Sequence, residues 1–176
     1  IFQIVCKNLK TLIAPFIKKA VKDLLATTIT FDEKNLNLKK TSYISCIKQE
    51  ALGEKDIEDQ INTYIKYLKN PCLDSICIKI STICSKQNFE SAFFQAYKNL
   101  KKILKVAMQN SKTIIIQTEN HKNLYLITTL FKKILEEDKF LKLSIGITLQ
   151  SYLPESFTIQ QELTEASKKR TEKGAP

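Results

Sequence analysis

The sequence predicts an α/β chain assembled from β/α units, and three observations carry that reading. Short apolar runs of strand length, rich in isoleucine, recur at residues 43–47, 76–81, 113–116 and at the start of 144–154. Each run is followed by a stretch whose apolar residues return at helical spacing. Each also ends in polar residues, Gln150 in the fourth case. Strands alternating with helices make a parallel sheet covered by helices, and in such folds ligands sit at the carboxyl ends of the strands. Four units spaced by roughly thirty to forty residues are half of a (β/α)8 TIM-type barrel or most of a small doubly wound sheet.

Composition narrows the function classes. With 176 residues, 43% of them hydrophobic, the chain can bury one real core. Its net charge of +10 suits phosphates, acidic partners or an anionic membrane surface. The lysines, however, are spread along every helix without forming a block, as on a solvated face. Arg170 is the only arginine, whereas base readout and bidentate phosphate contacts favour arginine. Nucleic-acid binding is therefore not expected and stands as the most distant alternative. Cys6, Cys46, Cys72, Cys77 and Cys84 are odd in number and contain no C-x-x-C pair, which fits a reduced, cytoplasmic setting. With His121 as the single histidine, no metal site is expected. The chain opens on Ile1 and stops on Gly174-Ala175-Pro176, so the expectation is a fragment or a truncated product.

The elements follow in order. Residues 1–40 are expected to form an N-terminal helical segment, interrupted near Pro15, and a polar linker. After the first strand, Asp56 is placed to cap a helix whose buried stripe is Ile57, Ile61, Tyr64, Ile65 and Leu68, stopped by Asn70-Pro71. Asn88 is placed to cap the long helix after the second strand, with Ala92, Phe93, Ala96, Leu100, Ile103, Leu104 and Ala107 on one side. The third helix uses Leu124, Ile127, Leu130, Phe131, Ile134 and Leu135, and a weaker one is expected over 158–168. Lys79 is the oddity. A lysine in an otherwise apolar strand must snorkel, pair or meet a ligand, or else guard a sheet edge.

Ile78-Lys79-Ile80-Ser81, Gln117-Thr118-Glu119, Gln150-Ser151-Tyr152 and Arg170-Thr171-Glu172-Lys173-Gly174-Ala175 form an ordered series. With Ala51-Leu52-Gly53-Glu54 ahead of it, the series resembles the proline dehydrogenase domain, including that of the bifunctional proline utilisation A flavoenzymes. There the corresponding segments read I-K-x-S, D-x-E, Q-x-Y and R-x-x-K-G-A. The resemblance implies the front half of a distorted (β/α)8 barrel over 41–176, cut at the fifth strand, with an aldehyde dehydrogenase part beyond it. It implies oxidation of L-proline to Δ1-pyrroline-5-carboxylate by hydride transfer to FAD. Electrons would pass to a membrane quinone, with a cytoplasmic location and peripheral membrane association.

Carried over by position, Lys79 would bind the substrate carboxylate, and Gln150 and Thr118 would meet the flavin. Arg170 would sit beside the flavin as a catalytic and cofactor-binding residue, with Lys173, Gly174 and Ala175 along the cofactor's ribityl and phosphate portion. Guanidinium and ammonium donors suit a reduced flavin and a pyrophosphate. Gln117 stands at the catalytic position of the Asp in D-x-E, where an amide cannot balance the charge of cationic neighbours. The charged run 168–173 also reads as a solvated tail. Half a barrel leaves two strand edges and an inner face to water unless something completes it. An inactive remnant of the family is therefore the alternative.

Overall fold

The computed structural model describes residues 43–45, 50–85 and 88–176. The N-terminal helical segment and linker expected over 1–40 lie outside the described residues. Four strands form one parallel sheet: β1 (Tyr43–Ser45), β2 (Ser75–Lys79), β3 (Thr113–Gln117) and β4 (Ile145–Ile147). Their order in the sheet is their order in the chain, β1-β2-β3-β4. Sequential order without reversal is what a barrel sector requires, whereas a doubly wound sheet reverses at a switch point. The expected partial barrel is therefore the fold.

Four helices follow the strands: α1 (Glu54–Leu68), α2 (Phe89–Gln109), α3 (Leu124–Leu135) and α4 (Glu155–Glu172). Side chains alternate along a strand, so Ile76 and Ile78 share one face of β2 and Ile114 and Ile116 the same face of β3. All four are buried in one cluster with Tyr64 and Leu68 of α1, Leu100 and Ile103 of α2, Leu130 and Ile134 of α3 and Leu163 of α4. Burying each such side chain contributes about 1.5–3 kcal/mol. The helices thus cover one face. The opposite face carries Cys77, Lys79, Ile115, Gln117 and Gly146, and at Gly146 a Cβ would meet nothing within 4 Å.

Local signals set most boundaries. Asn88 caps α2 as expected, accepting the Glu90 and Ser91 N–H groups. At α1 the N-cap is Gly53 rather than Asp56, and the Asp56 carboxylate reaches back to the Leu52 N–H at 3.1 Å. β2 stops at Lys79, because residues 80–82 tighten into a 3-10 turn. There the buried Tyr64 hydroxyl accepts the Lys79 N–H at 3.1 Å and meets Thr82 Oγ1, which donates to the Lys79 carbonyl.

The main correction concerns the chain's last part. The weak helix expected over 158–168 runs on to Glu172, so Arg170 lies in α4 and no fifth strand begins there. Gly174, at φ 85°, ends the helix. Its N–H bonds the Thr171 carbonyl at 2.8 Å, and the Ala175 N–H bonds that of Arg170 at 3.2 Å. These are the two hydrogen bonds of a glycine-terminated helix, and glycine suits them because L side chains resist positive φ.

A second polar cluster holds α2 to the segment after α3. The Tyr97 hydroxyl donates to Glu137, and Lys139 pairs with the same carboxylate. Burial, then the hydrogen bond and charge of Glu137, push the Tyr97 pKa up to about 12. Burial alone would raise the Glu137 pKa, but hydrogen bonds from Lys139 and Tyr97 outweigh it and leave it below the ordinary value. A phenol whose folded pKa exceeds its unfolded value of about 10 stabilises the fold below that pH. That contribution is lost as pH rises through the folded value. The carboxylate's contribution is present at neutral pH and disappears in acid. The stability advantage of wild type over Tyr97→Phe is therefore expected to shrink between about pH 9 and pH 12 in urea unfolding. An advantage constant across that range removes the bond from the account.

Candidate functional site

In this sheet the carboxyl ends of β2, β3 and β4 bring together residues far apart in the chain. Lys79 closes β2 and is paired in register with Gln117, which closes β3. Both stand on the sheet face opposite the one that packs against α1 to α4. Cys77, two residues before Lys79 on the same face, donates its thiol to Gln117 Oε1 at 3.6 Å, a weak bond. The Lys79 ammonium lies 3.4 Å from Glu119 Oε2, with 17% and 16% of the two side chains exposed. The other carboxylate oxygen, Oε1, accepts the Ser81 hydroxyl at 2.6 Å.

Glu119 is also held through its backbone. Gln150, just past β4, donates Nε2 to the Glu119 carbonyl at 3.2 Å. Gln150 is itself tied down, since Ser156 at the start of α4 donates to its carbonyl at 2.7 Å. Its Oε1 is buried and has no hydrogen-bond partner among the described residues. Thr118 is buried and committed to the next strand, donating Oγ1 to the Thr148 carbonyl at 2.7 Å while its N–H meets Thr148 Oγ1 at 3.2 Å. The arrangement is a lysine balanced by one glutamate, with ammonium protons to spare, beside a buried acceptor that needs a donor. Buried acceptors left without a donor are uncommon and costly.

Of the residues expected at the site, Lys79, Gln117, Thr118 and Gln150 come together at the strand ends. Arg170 does not. Its side chain, 7% exposed with its residue, runs under α4 to the segment preceding β4. There Nη2 donates to the carbonyls of Phe140 at 2.6 Å, Leu141 at 3.1 Å and Leu143 at 2.8 Å. That is the amino end of the parallel strands, opposite the carboxyl ends. Burial lowers the Arg170 pKa, yet a guanidinium stays charged. Lys173, Gly174 and Ala175 go with it: Lys173 pairs with Asp138 at 3.2 Å, and the Gly174 carbonyl accepts Lys142 Nζ at 2.8 Å. In this chain the run closes α4, where a helix end favours cations followed by glycine.

Sequence reasoning missed Ser81, which carries a signal only as the last residue of I-K-x-S, and Tyr64, which reads as packing. Glu119 was visible as the retained glutamate of D-x-E, but not as the residue joining three strand ends. His121 is exposed and faces Glu155 at 3.4 Å, away from any site role.

Together, the strand order and the strand-end cluster define one sector of a parallel β/α barrel with polar residues gathered at the carboxyl ends of its strands. The sequence profile of the family described as Proline dehydrogenase matches residues 28–174. The chain therefore belongs to the proline dehydrogenase family. Among solved structures it is similar to Proline Utilization A (PutA) from Corynebacterium freiburgense. That likeness has 27% identity and a TM-score of 0.72, covering 89% of this chain and 16% of that one. It is also similar to PutA from Bdellovibrio bacteriovorus inactivated by N-propargylglycine, at 21% identity and a TM-score of 0.73. There the coverage is 94% of this chain and 20% of that one, and at such identity the likeness concerns the fold. The chain thus spans a fifth or less of the PutA chains it matches. No curated protein matches it in sequence.

Proposed function

We propose that the chain forms part of a flavin-dependent site that oxidises L-proline to Δ1-pyrroline-5-carboxylate. The observation that carries the reading is Lys79, an ammonium at a strand end on the inner face, balanced by Glu119 but not saturated by it. Such a group binds a carboxylate by charge-assisted hydrogen bonds. The orphaned Gln150 Oε1 fits a flavin, whose ring carries an N–H that a buried acceptor can take. Thr118 would line the same wall, its hydroxyl hydrogen already given to Thr148. Arg170, Lys173, Gly174 and Ala175 do not fit the cofactor, since they close the other end of α4.

The flavin, when bound, supplies the hydride acceptor. The chain's residues would hold the ring's polar edge through Gln150 and would fix the substrate carboxylate through Lys79. Glu119, 3.4 Å away, holds that lysine in place by an ion pair. Gln117, an amide where the family carries an aspartate, contributes hydrogen bonds and no charge. Transfer of electrons to a membrane quinone, a cytoplasmic location and peripheral membrane association belong to the same reading, and their support is family membership. Among the described residues, no helix is long and apolar enough to cross a membrane.

Flavin content of the purified protein is the test, followed by anaerobic addition of L-proline. Bound FAD that bleaches with L-proline and loses affinity by about tenfold in Gln150→Leu is the expected result. Failure to take up FAD supplied in excess would overturn the proposal and leave family membership intact.

A further inference from the structure

Glu119 is the only residue of the cluster tied to all three strand ends. Its two carboxylate oxygens are divided unequally. The bond from Ser81 Oγ to Oε1 is 2.6 Å, within the range of strong O–H···O⁻ bonds of about 2.5–2.7 Å. The contact from Oε2 to Lys79 is 3.4 Å, well beyond the roughly 2.7–2.9 Å of a full charge-assisted bond. The carboxylate is thus held toward Ser81 and back from Lys79. The hydroxyl comes from the 3-10 turn just after β2, and Ser81 is 9% exposed. The turn is anchored on both sides. Tyr64 holds the Lys79 N–H and Thr82, and the Ser81 carbonyl accepts the Ala51 N–H at 3.0 Å. Ser81 therefore has a fixed backbone from which to aim its hydroxyl.

Gln117 makes this arrangement matter. It pairs in register with Lys79, close enough that an aspartate there would offer the lysine a second negative charge. As an amide it offers none, so Glu119 is the single carboxylate within ion-pair distance of Lys79 among the described residues. A glutamate free to swing would close on the ammonium and compete with any incoming carboxylate. One held back neutralises the lysine yet leaves its protons free to bind.

We propose that Ser81 is a positioning residue that acts through Glu119, restraining this carboxylate so that Lys79 stays oriented and open to the substrate carboxylate. The inference rests on the proline-oxidising reading.

Equilibrium binding to the FAD-loaded protein tests it without turnover, using cyclopentanecarboxylate, which lacks the oxidisable amine, and cyclopentylmethanol, which lacks the carboxylate as well. Wild type is expected to prefer the acid by at least about tenfold. Ser81→Ala should weaken the acid by about fivefold and leave the alcohol unchanged. In a Glu119→Gln background, where the competing charge is gone, the same Ser81→Ala change should move the acid by less than about twofold. Equal weakening of both ligands would assign Ser81 a merely structural role and overturn the inference. So would an undiminished Ser81→Ala effect in the Glu119→Gln background, or no effect in either. A wild-type protein that takes up neither FAD nor the acid removes the parent reading, and the inference with it. Failure of the Ser81→Ala expectations alone, with FAD and acid binding intact in wild type, removes only the inference.

Discussion

Arg170→Met is expected to destabilise the protein by about 3 kcal/mol, seen as a lower urea midpoint with little change in FAD uptake. The arginine supplies the donor for three carbonyls in the segment before β4. Methionine keeps most of the stem's volume but donates nothing, and each buried carbonyl left without a partner costs about 1 kcal/mol or more. Part of that loss is offset, because Nη1 is already buried without a partner among the described residues. The rest of α4 compensates poorly, since Leu163 is its only buried large apolar side chain. Arg170→Lys should restore little, because one ammonium cannot reproduce the planar fork. Unchanged stability together with lost FAD binding would return Arg170 to the cofactor and refute its assignment as a clamp.

Lys79→Met is expected to lower kcat/KM for L-proline by about a hundredfold, equivalent to about 3 kcal/mol of lost charge-assisted binding. The loss should fall mainly on KM, since a carboxylate anchor is present in ground and transition states alike. Glu119 would then be left nearly buried without its cation, so Lys79→Met should also cost stability. Adding Glu119→Gln should recover stability without recovering turnover. A variant that keeps wild-type KM would show that Lys79 is an inner-face lysine with only a structural partner. Steady-state assays on single and double variants separate the two outcomes.

Much of the rim was legible in the sequence for a local reason. A lysine that interrupts an isoleucine run, a glutamine that ends one, and Asn88 ahead of a helical stripe each mark a boundary within a few residues. The strand alternation then puts Lys79 and Gln117 on a shared face once the register is known. The final segment misled because its signal is degenerate. A basic turn followed by Gly-Ala can close a helix or enter a strand, and nothing within 168–176 discriminates between them. What decided it lies about thirty residues upstream, where the Phe140, Leu141 and Leu143 carbonyls await a donor.

Apart from the final segment, the sequence by itself determined the element types and the parallel α/β class, because hydrophobic period and capping are properties of neighbouring residues. Two features awaited the tertiary structure. One was the choice of barrel sector over doubly wound sheet, since strand order depends on how units pack and each unit's pattern is the same in both. The other was the partnership of Ser81, Glu119 and Lys79, formed across 38 residues from hydroxyl to carboxylate. Long-range pairs of this kind are set by register and sheet geometry, and no periodicity in the chain encodes them.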